Sequence, residues 1–197
     1  MTDTDIMLTS ILKCRPVDLV IGSKALTAVQ KNEFDQMLER RAKGEPLQYI
    51  LGQCDFMGVP IFVDGRALIP RPETEILTEL AIEMAGALKS DQPLCILDLG
   101  TGSGNIAIAM AKSIHDCSVT ALDISAQALA LAQKNAISNS VEHKITFILS
   151  DLGAYLKQSV LKGQKFDIIV SNPPYIETSQ LAQLPEDVQR EPRIALD

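Results

Sequence analysis

Histidine is scarce in this chain: 197 residues include only two, His115 and His143. The four cysteines, Cys14, Cys54, Cys95 and Cys117, lie far apart, and none forms a Cys-x-x-Cys pair. Zinc sites need closely spaced nitrogen and sulfur ligands, so no metal is expected here. The cysteines read as reduced, mostly packing residues of a cytoplasmic protein. Basic residues are also short: 18 Lys and Arg stand against 25 Asp and Glu, a formal net charge of −7. Affinity for nucleic acid rests mainly on clustered Lys and Arg, so this balance argues against a broad phosphate-binding face. No apolar run approaches the length of a membrane span. The opening "MTDTDIMLTS" has neither the basic nor the apolar region of a signal peptide. There is no internal repeat and no low-complexity tract.

What is present suits a soluble globular protein, with 46% apolar residues and length for one sizeable core plus a small appendage. The first sixty or so residues read as helical. Phe34, Met37, Leu38 and Arg41 follow helix spacing, and the segment stops at "KGEP". "ALIPRPETE" (67–75) is a breaker-rich connection. Pro72 suits the first turn of the next helix, and Glu73 and Glu75 suit its positive end. Leu77, Leu80, Ala81, Met84 and Leu88 predict one apolar stripe on that helix.

The rhythm then changes. "LCILDLG" (94–100), "SVTALDI" (118–124), "ITFILS" (145–150) and "FDIIVSN" (166–172) read as strands. Helical patterns separate them, over 105–114, after an N-cap at Ser125, and in "AYLKQSVLK". Such alternation predicts parallel βαβ units in an α/β, doubly wound sheet, with the fourth strand beside the first. Ligands in these sheets bind beyond the carboxyl ends of the strands.

The first strand runs into "DLGTGSGN", with Asp98, Gly100, Gly102 and Gly104. Glycines there allow a tight turn and close approach of backbone to a ligand at a helix N-terminus. Gly102 to Ala107 also fits the dinucleotide pattern G-x-G-x-x-A. Asp123 ends the second strand at the distance where a carboxylate meets ribose hydroxyls. That acid suits a nicotinamide dinucleotide and S-adenosylmethionine alike. An acid directly before the glycines resembles methyltransferase loops and favours the second. Asp151 in "SDL" reads equally as an adenine contact or as a helix N-cap.

Asn172, Pro173, Pro174 and Tyr175 follow the fourth strand. An amide or exocyclic amine is a poor nucleophile, because its lone pair is delocalised. Its NH₂ group carries two donors. The Asn172 side-chain carbonyl can accept one, and the Pro173 backbone carbonyl the other, holding the nitrogen in place as lone-pair density builds. The prolines fix φ and bar helix. Tyr175 offers a flat face for stacking. No general base is needed before transfer, since the cationic product nitrogen loses its proton readily, and no histidine lies nearby in sequence.

N-P-P-Y resembles the motif of amino-methyltransferases acting on nucleic-acid bases or on protein glutamine. "GEPLQYILG" (44–52), "LIPRPETE" (68–75) and "LPEDVQREPRIALD" (184–197) resemble HemK-type methyltransferases, which modify the Gly-Gly-Gln glutamine of peptide-chain release factors at N5. That resemblance implies a small N-terminal helical domain (1–65) that recognises the release factor. A Rossmann-like class I methyltransferase domain (66–197) follows, lacking its last strands. It implies S-adenosylmethionine held by Gly100, Thr101, Gly102, Ser103, Gly104 and Asp123, with Asp151 and Leu152 near the adenine and Asn172 at the methyl. Many relatives carry an aromatic where Leu152 stands. Asn172, Pro173, Pro174 and Tyr175 would receive the glutamine. Arg71 reads as a structural tie, a substrate-face contact or a surface ion pair. The chain is expected to be a truncated form, leaving the fourth strand as an edge. The alternatives are an adenine N6-methyltransferase, a non-catalytic binding fragment and, more distantly, a dehydrogenase.

Overall fold

The computed structural model describes residues 1–21, 25–88 and 92–197. Four helices come first: α1 (Asp3–Leu12), α2 (Pro16–Ile21), α3 (Ala28–Ala42) and α4 (Leu47–Leu51). Two are opened by capping boxes. Thr2 and Asp5 exchange side-chain and backbone bonds at α1, as Thr27 and Gln30 do at α3. Met7 of α1 is fully buried. Arg41 of α3 donates to Asp3 at 2.7 Å, tying the ends of α1 and α3 together. Gly52, at φ +73°, closes α4 in the left-handed conformation that ends helices.

The sheet follows the expected plan. The elements are β1 (Gln53–Phe56), β2 (Val59–Phe62), α5 (Pro72–Ala87), β3 (Leu94–Leu99), α6 (Asn105–Ser113), β4 (Cys117–Asp123), α7 (Ala126–Ser138), β5 (Ile145–Leu149), α8 (Leu152–Leu161) and β6 (Ile168–Ser171). Strand order is β5-β4-β3-β6, with every pairing parallel. The chain steps outward from β3 to β5 and then returns to the other side of β3. This reversal opens a crevice at the carboxyl ends of β3 and β6. Ile96, Val119 and Val170 pack on one face with α6; Leu97, Leu99 and Leu122 pack on the other with Tyr155 of α8.

Two expectations need correction. Residues 53–62 form an antiparallel hairpin, not helix. Met57 and Gly58 turn it with φ of +53° and +77°, as a two-residue primed turn requires. Phe56, Val59 and Ile61 point into the sheet's core. Asn135 of α7 serves β2 as a surrogate strand. Its carboxamide accepts from Phe62 N at 2.8 Å, and donates to Phe62 O at 3.0 Å and Ser103 O at 2.8 Å. The second correction concerns α5. Its buried face is Thr74, Thr78, Ala81 and Ala85, whereas Leu80 and Met84 face outward, Met84 at 62% exposure. Small residues let α5 sit close against α6 and β6, and the larger apolar residues are displaced to the outer face. β6 is paired on one side only among the described residues, as expected of an edge, and Ile169 stands 56% exposed.

Candidate functional site

A cavity of about 240 Å³ lies where the crevice was expected. Gly100, Thr101, Gly102 and Ser103 form its floor, with Asp123, Asp151 and Leu152 to one side and Asn172 and Pro174 at the rim. The pairing of Leu99 with Ser171 brings the glycine loop and the Asn-Pro-Pro segment together from 72 residues apart.

The loop is built locally. Gly100 and Thr101 both donate from backbone nitrogen to Leu122 O, at 2.9 and 2.8 Å. Asp123 accepts from Gly102 N and from Ser125 N, each at 2.8 Å, one on each oxygen. A carboxylate has about four acceptor positions, so each oxygen keeps capacity for a further donor. A side chain at Gly100 would meet nothing within 4 Å, so its φ of +76° accounts for the glycine while the space above stays open. Gly104 differs from the other loop residues. It does not line the cavity; a Cβ there would stand 3.0 Å from Ala132 Cβ and 3.1 Å from Ile108 Cδ1. Close packing of α6 on α7 explains this glycine.

Asp98 is fully buried. Its Oδ2 accepts from the Thr101 hydroxyl at 2.6 Å, while Oδ1 has no partner among the described residues. Burial pushes its carboxyl up to about 7, against the pull of the Thr101 hydroxyl. Asp151 caps α8 by accepting from Ala154 N at 3.0 Å, and it also lines the cavity.

At the rim, Asn172 donates from Nδ2 to Thr74 Oγ1 at 2.9 Å. Pro173 and Tyr175 do not line the cavity; Tyr175 stands 79% exposed beside it in sequence. The remaining wall is a strap, residues 66–71, which the sequence showed only as a connection. Glu191, its side chain 1% exposed, accepts from Ile69 N at 2.9 Å and from the Arg71 guanidinium. Arg71 is therefore a structural tie in an ion pair. Tyr49 of α4 donates its hydroxyl to Ala67 O at 2.7 Å, fixing the strap's start. Ile194 and Ala195 close the far side. Tyr49, Thr74 and Glu191 lie in the stretches that carry the resemblance, but neighbouring residues do not reveal what they do, because each acts on a residue at least 18 positions away. The repeated Pro and Gly around 65–72 was the one visible hint that the chain there is neither helix nor strand.

The methyltransferase small domain family matches residues 80–188, and the PrmC N-terminal domain matches residues 1–52. A release factor glutamine methyltransferase of Flavobacterium psychrophilum is 42% identical over 97% of this chain and 66% of its own length. That of Chlorobaculum tepidum is 45% identical over 88% of this chain and 60% of its own. That of Escherichia coli is 40% identical over 98% and 67%. This chain thus spans about two thirds of the length of such relatives. Among solved structures, a SAM-dependent methyltransferase from Agrobacterium tumefaciens matches with a TM-score of 0.54 at 25% identity, over 62% of this chain and 39% of that one. The human methyltransferase 10 domain containing protein shares the fold, with a TM-score of 0.51 at 21% identity, over 73% of this chain and 64% of that one. With the glycine loop, the crevice and the Asn-Pro-Pro-Tyr segment in one arrangement, and with these relatives, the chain belongs to the release factor glutamine methyltransferase family.

Proposed function

We propose that this chain transfers a methyl group from S-adenosylmethionine to the side-chain amide nitrogen of a glutamine, that of the Gly-Gly-Gln loop of peptide-chain release factors. One observation carries the reading: the Asn172 carboxamide stands on the same cavity as the glycine loop and Asp123. The cavity's residues fit the cofactor. Asp123 has acceptor capacity left for ribose hydroxyls, and the space over Gly100 admits a ligand against the backbone. Gly100 to Ser103 and Asp123 would hold it, with Asp151 and Leu152 toward the adenine. When bound, S-adenosylmethionine supplies an electrophilic methyl group on a positively charged sulfur.

Asn172 contributes orientation and charge. No protein donor reaches its Oδ1 among the described residues, and that oxygen accepts one hydrogen of the substrate NH₂. The Pro173 carbonyl accepts the second. As the amide nitrogen forms its new bond, its hydrogens grow more acidic, so both acceptors bind the transition state more tightly than the ground state. The extra proton leaves a cationic nitrogen, which releases it to water without a dedicated base. Exposed Tyr175 stacks on the planar amide.

We assign α1 to α4 to recognition of the release factor, and the site of action to the cytoplasm. No described helix is long and apolar enough to cross a membrane. A net charge of −7 disfavours the second reading, methylation of adenine in nucleic acid. The test is to incubate the chain with methyl-labelled cofactor, release factor and nucleic acid together. Label on the glutamine N5 supports the proposal, and label in nucleic acid replaces it with the second reading. Cofactor binding without any transfer makes this chain a binding module.

A further inference from the structure

The Asn172 carboxamide has two ends of nearly the same shape and opposite chemistry. With its oxygen toward the cavity it accepts from an incoming NH₂. With its nitrogen there it meets that NH₂ donor to donor. The oxygen can face the substrate only if the side chain is held still, and the segment itself does not hold it: Pro173 and Pro174 lack backbone N–H groups, and both prolines are exposed.

Thr74 is placed to hold it. It stands in the first turn of α5, behind Pro72, and is 4% exposed. Its Oγ1 receives the Asn172 Nδ2 hydrogen at 2.9 Å, from 98 residues away. The first turn is itself fixed. Thr74 N donates to Arg71 O at 3.0 Å, and the fully buried Thr78 donates its hydroxyl to Thr74 O at 2.7 Å. Arg71 in turn is held by Glu191. The hydroxyl therefore sits on a rigid support, and α5 packs against β6, the strand that delivers Asn172.

We propose that Thr74 is a positioning residue for methyl transfer: its hydroxyl fixes the Asn172 side chain with one end of the carboxamide on Thr74 and the other toward the cavity. The hydroxyl both donates and accepts, so the donor–donor clash with an incoming NH₂ turns the oxygen end to the substrate. The inference rests on the glutamine reading above. Thr74 also lines the cavity, and the inference assigns it no bond to cofactor or substrate atoms. It also explains why a buried threonine, and not an alanine or valine, occupies a helix face otherwise made of small packing residues.

The test compares Thr74→Val, which keeps the shape and deletes the hydroxyl, with Thr74→Ser, which keeps the hydroxyl and deletes the methyl. In methyl transfer to the release factor, Thr74→Val is expected to lower kcat about 10- to 100-fold, the range for losing a group that orients another. Cofactor Kd should stay within about twofold, and Thr74→Ser should recover kcat to within about threefold of wild type. A nitrogen-15 NMR spectrum of the Asn172 side-chain amide reads the bond itself. One proton should be shifted downfield in the wild type and in Thr74→Ser, and not in Thr74→Val. Wild-type kcat in Thr74→Val, or a side-chain amide signal that ignores the substitution, overturns the proposal. So does loss of kcat in Thr74→Ser with retention in Thr74→Val, which would make the methyl's packing the important property. If the wild type transfers no methyl to glutamine, the functional reading fails, and the NMR comparison still decides whether Thr74 holds Asn172.

Discussion

The floor and the rim of the cavity are built in different ways. The floor, Gly100 to Ser103 with Asp98 and Asp123, is held by residues of its own strand–loop–helix and of the adjacent strand. The rim, Asn172 with the 66–71 strap, is held by single side chains that reach across 18 to 122 residues: Tyr49 to Ala67, Asn172 to Thr74, Glu191 to Ile69. A floor of this kind is rigid and can cradle a constant ligand. A rim assembled from distant segments can take its shape from several parts of the chain at once. That suits a macromolecular substrate whose recognition begins far from the reacting atom.

Substitutions can break this contrast. The largest effect is expected at the rim. Asn172→Ala should cost about 10²- to 10³-fold in kcat, the usual consequence of losing one preorganised polar group, with cofactor Kd changed less than about twofold. Steady-state kinetics beside calorimetric titration measures both, and equal losses would mean that Asn172 belongs to the floor.

Asp98 comes next, and its effect depends on pH. Burial raises its folded value to about 7 from the ordinary 3.8. Between those values the unfolded chain has released this proton and the native one still holds it. The stability Asp98 contributes is therefore complete below pH 4 and falls as pH rises toward 7, by on the order of 4 kcal/mol. Asp98→Asn should lack that fall. Denaturant unfolding of both proteins at pH 5 and pH 7 checks the sign. A wild type that gains stability relative to Asp98→Asn over this interval would show that Asp98 is ionised and satisfied.

Gly104→Val tests whether that glycine serves packing. The φ of +84° and the 3.0 Å approach to Ala132 should cost about 2–4 kcal/mol of stability, read as a lowered melting temperature. A variant of unchanged stability with weakened cofactor binding would return Gly104 to the floor.

The smallest effect is expected at Glu191→Ala, about 2 kcal/mol. Breaking a buried pair usually costs more, but Arg71 is 30% exposed and can turn its charge to water. Cofactor affinity should weaken as the strap loosens. A fully stable Glu191→Ala with native affinity would show that the strap holds without its tie.

The same contrast explains what was legible in the sequence. Short-range chemistry writes itself into neighbouring residues. The four strands, the glycine loop, Asp123 at a strand end and the Ser125 cap were each readable from a few consecutive positions. Asn172 was readable because two prolines and a tyrosine mark the place where β6 ends. The 53–62 hairpin was missed because "CDFMGVPIF" lacks the Asn-Gly or Asp-Gly turn, and a methionine takes the first left-handed position. The α5 stripe differs in part: Ala81 is buried as expected, but Leu80 and Met84 face outward, because large apolar residues outweigh threonines in any hydropathy pattern although Thr74 and Thr78 share the buried face. The roles of Thr74, Glu191 and Tyr49 are not legible for a deeper reason. A residue that supports another 18 to 122 positions away has no local pattern to display.

A crystal structure with S-adenosylhomocysteine and a Gly-Gly-Gln peptide tests the central claim most directly. If Asn172 grips the substrate amide, the glutamine nitrogen will lie about 3 Å from both Asn172 Oδ1 and Pro173 O, with Asn172 Nδ2 still on Thr74. A glutamine seated elsewhere, or an Asn172 whose oxygen has turned onto Thr74, would contradict it.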